Sequence, residues 1–228
     1  MPPAATPYRI GIPVYQGVDL MDVAAPREVF SWMGEKWQGA GEVEIVLVAE
    51  TPDVVVTRDG MRIVPDATFD ELPRVEVMWV PGGAVDGLQR EMGNPVFLDA
   101  LRGWAADARW VTSVCEGALL LASAGLLDGY RATTHWAFLP CLRRYPGVTV
   151  VGGDGHYPRC VVDPGADGGS GTRVTGAGIS SGIDEALEMV KLIAGRSVAE
   201  SVQQTMQYFP DPPVCAPEPI PGACPLSG

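Results

Sequence analysis

Short apolar runs alternate with amphipathic stretches along most of this chain. Residues 8–14 form the first apolar run and predict a strand, followed by a loop over residues 15–22. A helix comes next, with Pro26 near its start and Val29, Phe30 and Met33 at core spacing. Residues 42–49 read as a second strand. Residues 54–57 and 62–64 flank Arg58-Asp59-Gly60, which predicts a β-hairpin. Residues 75–80 predict a strand that runs into Pro81-Gly82-Gly83, and helical patterns cover 85–91 and 95–106. The β-branched run 110–114 then breaks at Cys115. From Ala118 to Ala124 the residues are small or straight-chain helix formers, so a strand turns directly into a helix at that cysteine.

Beyond the corner, residues 131–134 lead into a predicted helix over 136–144, and 148–151 form another short strand. Residues 154–173 predict a strand pair with a long Gly-rich tip at 163–171. A helix follows Gly176-Ala-Gly178, with Ile183, Leu187, Val190 and Ile193 expected on its apolar face. A last helix, 198–208, stops at Pro210. The Pro-rich tail 211–228 has no periodicity and is expected to run over the surface.

Alternating strands and helices predict an α/β fold with a mostly parallel sheet. The chain reads as one domain over 1–228, with residues 1–7 as an N-terminal extension. Sites in such sheets lie outside the carboxyl ends of the strands. That rule gathers the loop ending at Asp22, the Pro-Gly-Gly turn and the Cys115 corner onto one edge.

Composition narrows the function. Hydrophobic residues make up 46% of the 228 positions and charged residues only 19%, which suits a packed core. The formal charge of −12, with no Lys/Arg-rich run, argues against nucleic acid and anionic membrane surfaces as partners. The first residues have neither a basic segment nor an apolar one, so no signal peptide is expected, and a soluble, cytoplasmic protein is. Five scattered cysteines (Cys115, Cys141, Cys160, Cys215 and Cys224) fit neither a disulfide framework nor a zinc ribbon. The two histidines, His135 and His156, have no metal-ligand spacing, so no metal is expected.

The corner itself suggests chemistry. A tight strand-to-helix turn pushes the Cys115 side chain out of the sheet, and Gly117 lets the backbone crowd together. The helix N-terminus favours thiolate over thiol. The alternative is an inert buried cysteine. A nucleophile here needs oxyanion donors, for which the N–H groups of Gly82, Gly83 and Glu116 are candidates, and a proton carrier. No histidine adjoins Cys115. Asp22 is the better candidate acid, with Asp19 its competitor, because a carboxyl beside a thiolate is driven toward its protonated form. Thr133 and Thr134 read as capping or loop hydroxyls. His135 reads as part of the site wall or as a structural histidine, and Asp184 as an acid in a helix's first turn.

The blocks Val80-Pro-Gly-Gly83, Val111-Thr-Ser-Val-Cys115-Glu-Gly-Ala-Leu-Leu-Leu-Ala122, Gly125-Leu-Leu-Asp-Gly-Tyr-Arg-Ala-Thr-Thr-His-Trp136 and Gly176-Ala-Gly-Ile-Ser-Ser-Gly-Ile-Asp184 resemble the ThiJ/PfpI superfamily, as does Asp22-Val-Ala-Ala-Pro26. The resemblance implies a flavodoxin-like three-layer fold, a nucleophile elbow and a homodimer. Within that family the chain is most similar to the isocyanide hydratase branch, also through Tyr208-Phe-Pro-Asp-Pro-Pro213. That branch implies attack of Cys115 on an isocyanide carbon to give a thioimidate, with Asp22 as general acid and water-positioning group. Asp184 matches a further important acid, Thr134 and His135 fall in the substrate-binding wall, and no cofactor is implied. The chain departs from the branch at Glu116, where Thr is the rule, and in its longer 163–171 tip. It also lacks the histidine that follows the cysteine in PfpI-like peptidases and many glyoxalase-type members. Regulators that share these motifs carry a helix-turn-helix module, which the acidic, Pro-rich end of this chain does not suggest. A ligand- or redox-sensing dimer that uses Cys115 as an oxidisable thiol, or a glyoxalase-like activity, are the alternatives.

Overall fold

A computed structural model describes residues 7–39, 42–153, 155–166 and 171–226. In chain order the elements are β1 (Tyr8–Pro13), α1 (Leu20–Lys36), β2 (Val43–Ala49), β3 (Val55–Val56), β4 (Arg62–Ile63), β5 (Ala67–Thr68), β6 (Val77–Val80), α2 (Val85–Met92), α3 (Pro95–Asp107), β7 (Trp110–Ser113) and α4 (Gly117–Ser123). There follow β8 (Arg131–Ala132), a 3-10 turn (Trp136–Phe138), α5 (Leu139–Leu142), β9 (Thr149–Val150), β10 (Cys160–Asp163), β11 (Thr172–Gly176), α6 (Ser181–Ala194) and α7 (Arg196–Thr205).

The main sheet runs β10-β11-β7-β6-β1-β2-β5. It is parallel except where β10 pairs antiparallel with β11, Cys160 opposite Gly176. Its central strands are buried on both faces, which is why β6 reads as the unbroken run Val-Met-Trp-Val and β7 as Trp-Val-Thr-Ser. Helices α1, α6 and α7 pack together over one face, and α2, α3, α4 and α5 over the other. This is the expected three-layer α/β architecture. Among the described residues no helix is long and apolar enough to cross a membrane.

Several elements differ from the sequence reading in ways that matter for the site. Helix α1 begins at Leu20, inside the expected loop, because the Asp19 carboxylate accepts the Met21 N–H at 3.1 Å and caps the helix. Asp22 therefore sits in the first helical turn and is buried. Pro26 lies in the helix interior. With no N–H at Pro26, the Asp22 carbonyl loses its usual partner four residues on, and the Trp79 indole N–H donates to it at 3.0 Å instead. The predicted 136–144 helix is split into a 3-10 turn and the short α5, with Pro140 in the first turn of α5. On α6 the buried stripe is Gly182, Glu185, Ala186, Met189 and Val190, while Ile183, Leu187 and Ile193 are half-buried, so the helix is rotated from the expected face. The 163–171 tip joins two strands as anticipated, but residues 167–170 lie outside the described residues, as do 1–6 of the expected extension.

The cysteine reading needs correction. Cys141 and Cys224 form a disulfide with their Cα atoms 4.8 Å apart, across 83 positions of sequence. Spacing carries no trace of such a pairing, because the fold and not the chain brings the two sulfurs together. The tail runs over the surface, and the disulfide ties it to α5.

Candidate active site

Val114 leaves β7 with its N–H still bonded to the Val80 carbonyl (3.1 Å), and the next N–H, of Cys115, turns to the Ala177 carbonyl at 2.8 Å. Cys115 then takes φ = 56°, a left-handed conformation that a side chain seldom adopts. Three contacts hold it there. The Thr134 hydroxyl donates to the Cys115 carbonyl at 2.7 Å, and the Gly117 N–H returns to the Val114 carbonyl at 3.0 Å. Gly117 also passes so close to the Val80 carbonyl that a Cβ there would overlap it. The corner has the strained strand-to-helix geometry of an elbow, and Cys115 is 1% exposed at its apex.

Gly82 crosses directly above. A Cβ on Gly82 would lie 2.7 Å from the Glu116 N and 2.9 Å from Cys115 Cβ, so glycine is required for the two loops to meet. The Gly82 N–H donates to Asp22 Oδ2 at 2.9 Å. Asp22 is fully buried, and its Oδ1 has no hydrogen-bond partner among the described residues. Burial, then the neighbouring Asp19, hold its carboxyl well above the usual range, against the opposing pull of the Gly82 N–H. Asp19 is bound elsewhere, to Arg58 Nε at 2.9 Å.

Glu116 is 7% exposed, and its carboxylate lies beside the Cys115 thiol and against Gly82. Burial raises its pKa, opposed by the thiol and by the N–H groups of Glu116 itself and Gly83. The thiol is driven the same way, well above its ordinary value, first by burial and then by the charges of Glu116 and Asp22. These influences favour the thiol over the thiolate at Cys115. The expected thiolate at a helix N-terminus yields to two acids in a dry corner, a balance that the sequence spacing does not contain. The three expected oxyanion donors are likewise engaged at rest, Gly82 by Asp22, and Gly83 and Glu116 by the Glu116 carboxylate.

A cleft of about 490 Å³, lined among others by Met21, His135, Trp136, Tyr157 and Arg159, adjoins this corner through Thr134 and Ala177, which bond the Cys115 backbone; Cys115, Asp22 and Glu116 do not themselves line it. His135 accepts the Ala137 N–H on Nδ1 at 3.3 Å, and burial lowers its pKa, so it presents a neutral ring. Thr134 touches the cleft but spends its proton on the elbow. Asp184 is not part of the Cys115 cluster. It grips Arg159 with Oδ2 (Nη2 at 2.6 Å, Nε at 2.8 Å) and takes the Tyr208 hydroxyl on Oδ1 at 3.0 Å, fixing a cleft-lining guanidinium. Among the described residues no three His, Cys, Asp or Glu side chains converge as metal ligands.

Sequence reasoning missed Glu185, which is fully buried, has neither carboxylate oxygen partnered among the described residues, and lies against Gly176. Burial and then Asp22 push its pKa well up. It also missed Arg159, and Glu218 and Pro219 of the tail, all of which line the cleft. An acid on the inward stripe of α6 was the signal for Glu185, obscured by assigning the wrong face. No sequence signal marked the tail.

With this geometry in hand, residues 8–192 match the DJ-1/PfpI family. An isonitrile hydratase of Pseudomonas putida is 36% identical over 208 residues, covering 90% of this chain and 80% of that one. A ThiJ/PfpI family protein from Pseudomonas syringae superposes with a TM-score of 0.79 at 32% identity, over 93% of this chain and 79% of the other. Drosophila melanogaster DJ-1beta has the same fold, with a TM-score of 0.72 at 17% identity over 89% of this chain and 98% of its own. The chain belongs to the DJ-1/PfpI family.

Proposed function

We propose that this protein hydrates isocyanides to N-substituted formamides, with Cys115 as nucleophile, Asp22 as acid and Glu116 as base. The observation that carries the reading is the meeting at one buried elbow of a thiol, a carboxyl with one free oxygen and a second carboxylate, with no imidazole among them. The similarity to an isonitrile hydratase supports the substrate class. The largely apolar cleft beside the corner suits the organic substituent of such a molecule.

In the first step the Cys115 sulfur bonds to the terminal carbon of R–N≡C. Its proton passes to the Glu116 carboxylate, while protonated Asp22 delivers a proton to the same carbon. The product is the thioimidate R–N=CH–S, with Glu116 now protonated and Asp22 ionised. Water then adds to that carbon, giving its proton to Asp22 as Glu116 protonates the nitrogen. Finally the carbinol proton leaves to Glu116, the C–S bond breaks, and Glu116 returns the proton to sulfur. R–NH–CHO departs and every group regains its starting state. Each proton transfer uses only Cys115, Asp22, Glu116, one water and the substrate.

The reading includes a homodimer, for which the exposed Val54, Val56, Met61 and Val64 on the β3–β4 hairpin offer an apolar surface. Burial and the raised thiol pKa speak against the redox-sensing alternative, since oxidants need an accessible thiolate. The test is to mix the protein with cyclohexyl or aryl isocyanide and follow formamide by mass. Absence of product with Cys115 shown to be reduced sinks the proposal. Cys115→Ala is expected to abolish turnover.

A further inference from the structure

The tail beyond α7 has no regular structure, yet it crosses the mouth of the cleft. Tyr208 starts it, with its hydroxyl on Asp184 Oδ1. At mid-length the Tyr157 hydroxyl donates to the Pro219 carbonyl at 2.7 Å. Near its end Cys224, itself buried, is bonded to Cys141. Between residues 210 and 223 that Tyr157–Pro219 bond is the single hydrogen bond to the rest of the described protein. Prolines at 210, 212, 213, 217, 219 and 221 keep the segment extended without bonds of its own.

Two cavities meet at this segment. Tyr157, Glu218 and Pro219 line both the 490 Å³ cleft beside Cys115 and a second cavity of about 350 Å³ under the tail, which Pro140, Arg143 and Ile220 also line. The tail is the partition between them. If it swings away, the two spaces join and the cleft gains room on the side remote from the nucleophile.

We propose that this disulfide-tied strap sets the substrate size limit of the Cys115 cleft, and that opening Cys141–Cys224 relaxes the limit. The inference rests on the hydratase reading for its substrate class. A dithiol supplies two electrons and two protons, so that the S–S bond becomes two thiols and the dithiol becomes a disulfide. The packing of Cys224 and Leu226 on the core then keeps the end of the strap near α5, while one neutral hydrogen bond holds its middle against the conformational freedom that the lost cross-link returns to the chain.

The experiment compares the oxidised protein, the dithiol-treated protein and Cys224→Ser, each checked for a cooperative melt. Methyl, cyclohexyl and bulky bicyclic isocyanides are the substrates. Release is expected to leave kcat for the methyl compound unchanged and to lower KM for the bulky one roughly tenfold, the scale on which pockets discriminate small differences in size. Tyr157→Phe with the disulfide intact gives a smaller shift in the same direction. A substrate-free readout runs in parallel: peptide-resolved iodoacetamide labelling of Cys115 is expected to quicken severalfold on release. Unchanged KM ratios and an unchanged labelling rate in both released forms overturn the proposal. If no form turns over any isocyanide, the hydratase reading falls, and the labelling arm alone decides the strap.

Discussion

Asp22 is placed by a substitution of hydrogen-bond donors, and that can be tested by a double-mutant cycle. Pro26 removes the N–H that would pair with the Asp22 carbonyl inside α1, and the Trp79 indole replaces it at 3.0 Å, deep in the core. Trp79→Phe strips the carbonyl of its remaining donor. An orphaned buried acceptor costs about 1–3 kcal/mol. The smaller ring adds a cavity penalty of similar order, although the edge-on contact with Phe30 at 5.7 Å is of a kind phenylalanine can keep. Pro26→Ala restores the missing N–H, so in that background the carbonyl has a partner whether or not Trp79 is present. The cavity term is common to both backgrounds and cancels. Trp79→Phe should therefore cost about 1–2 kcal/mol less in the Pro26→Ala background than in the parent chain, a coupling well above the error of additivity. In thermal melts that is about 2–4 °C per kcal/mol for a chain of this size. Urea unfolding of the four proteins gives the coupling directly. Equal costs in the two backgrounds would refute the account of how α1 presents Asp22.

Four further outcomes follow from the site. Asp22→Asn should keep the Gly82 contact yet lower turnover by about 10²- to 10⁴-fold, the usual contribution of a positioned acid; near-normal rates would remove Asp22 from the chemistry. Glu116→Gln takes a negative charge from beside the thiol, so the pH profile of Cys115 alkylation should move to lower pH while isocyanide turnover falls; a profile that stays in place contradicts the pairing. Gly117→Ala forces a methyl into the Val80 carbonyl and should destabilise by about 1–3 kcal/mol despite the gain in helix propensity, as read from chemical denaturation. Glu185 holds its proton in the folded state to higher pH than in the unfolded chain. Its contribution is thus fully present below the ordinary carboxyl range and is lost as pH rises toward its folded value, so Glu185→Gln should flatten the decline of Tm as pH rises above the ordinary carboxyl range.

The strand–helix alternation and the Cys115 elbow were legible because both rest on local signals, β-branched runs and a glycine two residues past the corner. Asp22 was legible as a candidate because it follows the first strand of a parallel sheet, but its environment was not. The Asp19 cap extends α1 backward by three residues, to Leu20, and turns a loop acid into a buried helical one. The direction of the Cys115 pKa escapes the sequence for a related reason. A helix terminus is visible in sequence, whereas burial and the approach of Glu116 under Gly82 arise only when β6 and β7 lie side by side. The disulfide, the strap and the role of Asp184 in holding Arg159 are contacts between segments far apart in the chain, which no periodicity encodes.

The acid-rich corner also bears on which reactions the site can serve. Asp22, Glu116, Glu185 and the Cys115 thiol are all buried, and each has its pKa raised by burial. Arg58, the cation named beside them, is committed to Asp19 from an exposed position. Ionising more than one of these groups at once places like charges in a medium that screens them poorly, so the cluster favours states in which protons are held and passed on rather than released. A reaction that needed a standing thiolate would work against this balance. Addition to an isocyanide does not, because the thiol and the carbon receiving it start and finish neutral and every step moves one proton for each bond formed. In the proposed reaction the glutamate directly after Cys115 has a defined part. There it would take the thiol proton only while sulfur bonds to carbon, so that the corner would never carry a net charge greater than the one it starts with.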